Sequence, residues 1–426
     1  MRNGRIYLNA WLNSSGFQGD SWEHLNRDRA RIFDIEHYVR NASIARRGTM
    51  DAIFLADQPQ LTADPRERPE YPFDPITLVT AITSRVPDIG AIATATTSYS
   101  LPYTLARQIA SANLLSGGRV GWNAVTTNNP NVAGNYGSVK ASHDDRYARA
   151  NEFLDVVGRL WRSWRFDWEN SQAAAANPFG QVSPLDHRGE HFSVAGALNT
   201  PLPEFGVPVI AQAGGSPQGM QLAGLYGEVI YAALGGKGAG IRFGNEVRRI
   251  AAAAGRPQGS IIVMPGLQAL IGSTEDEVTS LAEEYEAKLA PLDERMKLNA
   301  AKLGIDLGKV GPDQILEADD FNLPHNPEMP LGALKAMVDL ALDERLSLRQ
   351  LALRLQVVVG TPEQIADRMI DWWESGAADG FNVTSPYLPD SLETFVDQVI
   401  PLLRARGVFP SDYRQPTLRA RLGLPR

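Results

Sequence analysis

Eight short runs of β-branched and apolar residues recur along the chain, at 6–11, 51–57, 89–97, 119–127, 207–214, 228–234, 260–267 and 380–385, with stretches of helical periodicity between them. Alternation of this kind marks βα units and a parallel sheet in an α/β protein, because a parallel neighbour is reached only through a crossover. Eight successive units favour closure into a (β/α)8 TIM barrel over an open doubly wound sheet, and no G-x-G-x-x-G follows the first run. Helix starts agree. Ser216-Pro217 sets a capping residue before a proline at the first helical position, and Thr361-Pro362-Glu363-Gln364 adds the glutamine of a capping box.

The 426 residues read as one barrel over 1–426, with insertions at about 165–203 and 291–350 and a tail at 408–426. Inserted loops of this length are usually lids or binding elements. The first holds an Ala-rich tract and turns such as Asn177-Pro178-Phe179-Gly180. Around the second, helical stretches at 276–289 and 331–342 flank a segment rich in Pro, Asn and Asp at 311–330. That segment has little apolar surface to bury by itself, so it is expected to be mobile and to close over the barrel mouth. The basic, Pro-containing tail 414–426 is expected to pack on a neighbouring subunit or to fray.

Composition excludes several chemistries. Lys and Arg number 41 against 49 Asp and Glu, and the resulting net charge of -8 disfavours nucleic acid and anionic membranes as partners. No cysteine is present, which removes disulfides, thiolate nucleophiles and thiolate metal ligands. The start Met1-Arg2-Asn3-Gly4 leads into a strand rather than an apolar leader, so the expected location is cytoplasmic and Asn-x-Ser/Thr at Asn13, Asn41 and Asn382 has no glycosylation meaning. No G-x-S-x-G elbow supports serine hydrolysis. The run from Gly235 to Gly240 lacks P-loop spacing and reads as a flexible turn. His187 and His191, with Asp186 and Glu190, could be drawn as metal ligands but read as solvated hairpin residues, and no metal is expected.

Barrels bind ligands at the carboxyl ends of their strands, and here those ends are polar. The second run closes on Phe54 to Asp57, the third on Thr94-Ala95-Thr96-Thr97, the fourth on Trp122 to Thr127 with Asn123 among them, and the fifth on Gln212-Ala213-Gly214-Gly215-Ser216. Period two puts Thr94 and Thr96 on one face, and Asn123 brings a donor and an acceptor, which suits a ring with amide-like edges. Each residue alone is equally an ordinary strand-end cap. Gly215 and Ser216 open a helix whose free N–H groups would hold a phosphate, though a simple N-cap reads the same way. His143 and Tyr147 stand one helical turn apart after a Gly- and Asn-rich loop, so both can reach one anionic group.

Taken together, Met50 to Asp57, Ile92 to Thr97, Leu115 to Asn123, His143 to Glu152, His187 to Phe192 and Val207 to Pro217 resemble the nitrilotriacetate and dibenzothiophene-sulfone monooxygenase branch of the bacterial-luciferase-like family. The resemblance implies a barrel of the bacterial-luciferase type with FMN at its mouth, delivered reduced by a separate NAD(P)H:flavin reductase. It further implies that O2 oxygenates a small organic substrate through a flavin peroxide, with the chain homo-oligomeric as a dimer or tetramer. Carried over by position, Asp57, Thr94, His143, Tyr147 and Ser216 would contact FMN with Asn123 near the ring. Barrel phosphate sites commonly follow strands seven and eight, whereas Ser216 follows strand five. Trp11, Phe17, Trp22 and His24 would face the reactive side of the flavin, although Trp11 and Trp22 read equally as core. A deazaflavin-dependent oxidoreductase on the same barrel and a non-catalytic flavin-binding barrel are the competing readings.

Overall fold

The two faces of the first strand meet different surroundings, although Leu8, Asn9 and Ala10 are all buried. Leu8, Ala10 and Leu12 pack outward with the surrounding helices, while Asn9 points across the lumen and donates to Tyr231 Oη at 2.8 Å. The computed structural model describes residues 4–61, 69–165, 180–323, 331–354 and 357–425. All eight anticipated strands form within it: β1 (Tyr7–Leu12), β2 (Ala52–Leu55), β3 (Gly90–Thr96), β4 (Val120–Val125), β5 (Ile210–Ala213), β6 (Val229–Ala232), β7 (Ile262–Ile271) and β8 (Gly380–Thr384). Each pairs in parallel with the next, and β8 pairs with β1, so the sheet closes into the (β/α)8 barrel.

The crossovers are α1 (Ile35–Arg47), α2 (Pro75–Thr83), α3 (Pro102–Leu115), α4 (His143–Trp161), α5 (Pro217–Tyr226) and α6 (Lys237–Ala253). After β7 the described residues hold four further α-helices before the seventh crossover, α7 (Glu275–Lys288), α8 (Leu292–Leu303), α9 (Leu331–Asp343) and α10 (Leu348–Leu353). The crossover itself is α11 (Pro362–Glu374), opened by the anticipated Thr361 capping box. Among the described residues no helix is long and apolar enough to cross a membrane.

Several expectations need correction. The run from Gly235 to Gly240 is no flexible turn, because α6 begins at Lys237. A Cβ on Gly240 would sit 2.7 Å from the Ala377 carbonyl, so close packing sets that glycine. β7 continues to Ile271 because Val358–Gly360 adds beside it. The tail does not fray: Leu418, Leu422 and Leu424 are buried against Ala52, Ile92, Val209, Val229 and Ile262 and close the lower end of the chain's own barrel. Its arginines are used there too. Arg419 holds Glu228 at 2.7 and 2.8 Å, and Arg421 donates to the Asp51 and Asp88 carbonyls.

The anticipated lid lies partly outside the described residues, at 324–330. Its described part is packed: Leu316 is buried with Leu303, Leu334 and Leu348, and the Asn322 N–H reaches the Leu303 carbonyl at 3.0 Å. In the first insertion the Ala-rich tract falls outside the described residues. The described remainder holds two short antiparallel strand pairs, and Glu152 of α4 accepts from the His191 and Phe192 N–H groups at 2.9 Å each.

Candidate active site

Within β4 the Asn123 side chain is buried and its Nδ2 donates to Thr94 Oγ1 at 2.9 Å. That bond fixes the amide. Its Oδ1 then faces no partner, and an unpaired buried acceptor costs about 1–3 kcal/mol until a donor meets it. Thr96 stands above on the same face, accepting from Thr127 Oγ1 at 2.7 Å and from the Ser98 N–H at 3.0 Å. Arg149 laces this loop from α4, donating to the carbonyls of Thr97, Ser98 and Ser100 at 3.2, 3.1 and 3.3 Å.

The end of β5 forms a cradle. Ser216 caps α5 by accepting from the Gly219 N–H at 3.1 Å, with Pro217 at the first helical position, so the positive end of the helix opens at Gly215-Ser216. A Cβ on Gly214 would lie 2.8 Å from Gln212 Nε2 and 3.5 Å from Tyr147 Oη. One on Gly215 would lie 3.1 Å from Gly332 Cα, because the start of α9 comes down on this loop. His143 and Tyr147 share a face of α4 as their spacing predicts, with ring centroids 4.8 Å apart.

Asp57, beyond β2, has its carboxyl pushed up from 3.8 to about 6 by burial and by the neighbouring Asp74 carboxylate. Folding raises this pKa, so the stability tied to it is full below pH 3.8 and is lost as the pH climbs through about 6. The ligand-free Asp57→Asn protein is therefore expected to gain melting temperature over the parent at pH 8 and much less at pH 4. Thermal melts at both pH values check this, and an equal difference at the two would contradict it.

Opposite, the β1 end carries an aromatic wall. Trp11 meets Phe17 and Phe54 edge-on at 4.9 and 5.1 Å, and its Nε1 donates to Tyr71 Oη at 3.2 Å. Sequence reasoning named Trp11 and Phe17 but missed Tyr71, which arrives from a loop with no periodic signal. His24 has its Nε2 on Asp390, beyond the end of β8, at 2.8 Å. His187 is no solvated hairpin residue: it is largely buried, with Nε2 on Glu152 Oε1 at 2.9 Å.

Of the residues singled out from the sequence, Thr94 and Asn123 are in direct contact, the His143 and Tyr147 rings meet at a tilt, and Tyr147 reaches the Gly214 to Ser216 loop. Asp57 and Thr96 stand at the ends of β2 and β3 without touching that cradle. The mouth thus combines a glycine loop at a capped helix start, buried amide acceptors on the strands, Asn123 Oδ1 among them, and an aromatic wall. The family described as luciferase-like monooxygenase matches residues 17–379, and the chain belongs to that family. It is an enzyme, a monooxygenase.

Among solved structures, EDTA monooxygenase from Chelativorans sp. BNC1 is 61% identical with a TM-score of 0.88, covering 99% of both chains. Nitrilotriacetate monooxygenase component A of Aminobacter aminovorans is 36% identical over 100% of this chain and 97% of its own. Dibenzothiophene-sulfone monooxygenase of Rhodococcus erythropolis is 31% identical over 95% of this chain and 93% of its own. These place the chain in the branch anticipated from its motifs.

Proposed function

We propose that this barrel is the oxygenase half of a two-component system. It takes reduced FMN from a separate NAD(P)H:flavin reductase and uses O2 to oxygenate a small organic molecule of the aminopolycarboxylate class. The observation that carries the reading is the pairing of a glycine cradle at a capped helix start with the unpartnered Asn123 Oδ1 on the neighbouring strand. A phosphate fits the first. Reduced flavin, which bears ring N–H groups, offers the second a donor. Relatives named for EDTA and nitrilotriacetate support the substrate class, and the name component A supports a partner that supplies reductant.

The residues present fit FMN. Gly215, Ser216, His143 and Tyr147 would hold the phosphate and ribityl end, and Thr94, Thr96, Asn123 and Asp57 would border the ring. The bound flavin supplies the oxygen chemistry. The chain's own part is to bind, orient and exclude water: Thr94 holds the Asn123 amide in one orientation, and Arg149 fixes the loop above it.

Ser216→Ala and Tyr147→Phe are each expected to weaken reduced-FMN binding by about 1–2 kcal/mol, roughly five- to thirtyfold, the scale of a hydrogen bond to a charged group. Anaerobic titration measures it. A melting curve for Ser216→Ala separates the lost helix cap, worth about 0.5–2 kcal/mol, from lost phosphate contact. Unchanged titrations in both variants would remove the phosphate assignment, and tight binding of a deazaflavin in preference to FMN would favour the other cofactor.

A further inference from the structure

The inner face of β7 runs through Ile262, Met264, Gly266 and Gln268, since Leu267 and Ala269 pack outward with the helices. Ile262 and Met264 are buried, as barrel interiors require. Gly266 breaks that rule: it is exposed in the middle of the strand, and Gln268 above it is half-buried.

A glycine inside a strand weakens it and needs a reason. For Gly90 and Gly121, on β3 and β4, the reason is close packing, because a Cβ there would lie 2.7 Å from the Asp51 carbonyl and 2.8 Å from the Val209 carbonyl. For Gly266 that reason fails, since an added Cβ meets nothing within 4 Å. The missing side chain leaves open space at the mouth.

The strand register identifies the walls. Gly266 lies beside Asn382 of β8, Gln268 beside Thr384, and Thr384 beside Trp11 of β1. In the closed ring β7, β8 and β1 stand across the mouth from β4 and β5, which carry Asn123 and the Gly215-Ser216 cradle. The space is thus bounded by amide and hydroxyl groups on one side and by the Trp11 wall on the other.

We infer that the space beside Gly266 is the seat of the organic substrate, separate from the flavin, and that the glycine sets how bulky a molecule enters. This rests on the reading proposed above. The ligand class is a compact, branched molecule whose polar groups are met by amide and hydroxyl side chains. A larger residue at 266 would fill the space from beneath while leaving the flavin cradle across the mouth untouched.

The test uses the absence of any native cysteine, so that Gly266→Cys carries the chain's sole thiol. Iodoacetamide is expected to alkylate it readily in the free protein. Saturating FMN should change the rate by no more than about twofold, and adding nitrilotriacetate or EDTA to the FMN complex should slow it at least about tenfold. In parallel, Gly266→Leu should cut product formation from EDTA at least about tenfold while reduced-FMN affinity stays within about twofold.

Complete protection by FMN alone would show that the space belongs to the flavin and would overturn the inference. An unreactive thiol in the free protein would do the same, as would a chelator that the parent enzyme oxygenates but that gives no protection. Should the parent oxygenate neither chelator, the proposed substrate class fails. The FMN arm still decides whether the space stays open beside the flavin.

Discussion

Deleting residues 416–426 is expected to leave no stably folded barrel. Leu418, Leu422 and Leu424 are 0%, 2% and 6% exposed under the lower end of the lumen, where they meet Ala52, Ile92, Val229 and Ile262 of the strands and Val209 just before β5. Truncating a buried leucine to alanine costs about 2–5 kcal/mol, and this deletion removes three whole side chains. It also strips Arg419 from Glu228, and a buried charge left without its partner costs about 3–5 kcal/mol. The sum rivals the total stability of a typical domain, about 5–15 kcal/mol. Calorimetry of the truncated chain, with Leu418→Ala as a milder companion, measures it. A truncated protein melting close to the parent would show that the plug is dispensable.

Gly215→Val is expected to abolish product formation from an intact barrel. The new side chain starts 3.1 Å from Gly332 Cα, so it must either lift the start of α9 or turn into the cradle where a phosphate would sit. The second outcome would block the place of a phosphate, and the first would release the packing that sets the loop's backbone. Reduced-FMN affinity should fall at least about 100-fold, a loss near 2.8 kcal/mol, with the melting temperature of the ligand-free protein changed far less. Anaerobic titration and thermal melts read the two effects separately. Unchanged affinity would detach this loop from the flavin.

The barrel was legible because its information is local: β-branched runs, helix periodicity, and start signals such as Ser216-Pro217 each survive without knowledge of the rest of the chain. What escaped is non-local. Lys237 to Gly240 has poor helix propensity, and its helix is held by packing against Ala377. The tail reads as basic and frayed, yet the leucines at 418 and 422 fall on one face of a helical turn, and the barrel's open lower end supplies the surface they cover.

The same division runs through the site. Thr94, Asn123, His143, Tyr147 and Ser216 announce themselves by strand-end position and spacing. The raised pKa of Asp57 comes first from burial and then from Asp74, seventeen residues on and across a loop, so no local pattern shows it. Gly266 sits in a run that already reads as a strand. Only the register and the space around it show that its missing side chain opens the mouth.

The central claim is tested most directly by mixing the purified chain with photoreduced FMN, air-saturated buffer and nitrilotriacetate or EDTA, with neither reductase nor nicotinamide present, and measuring product formed per FMN oxidised. The account predicts product in proportion to the reduced FMN supplied, and no steady NADH oxidation by the chain alone. Reduced FMN oxidised wholly to hydrogen peroxide with every substrate offered, or sustained NADH turnover by the pure chain, would contradict it.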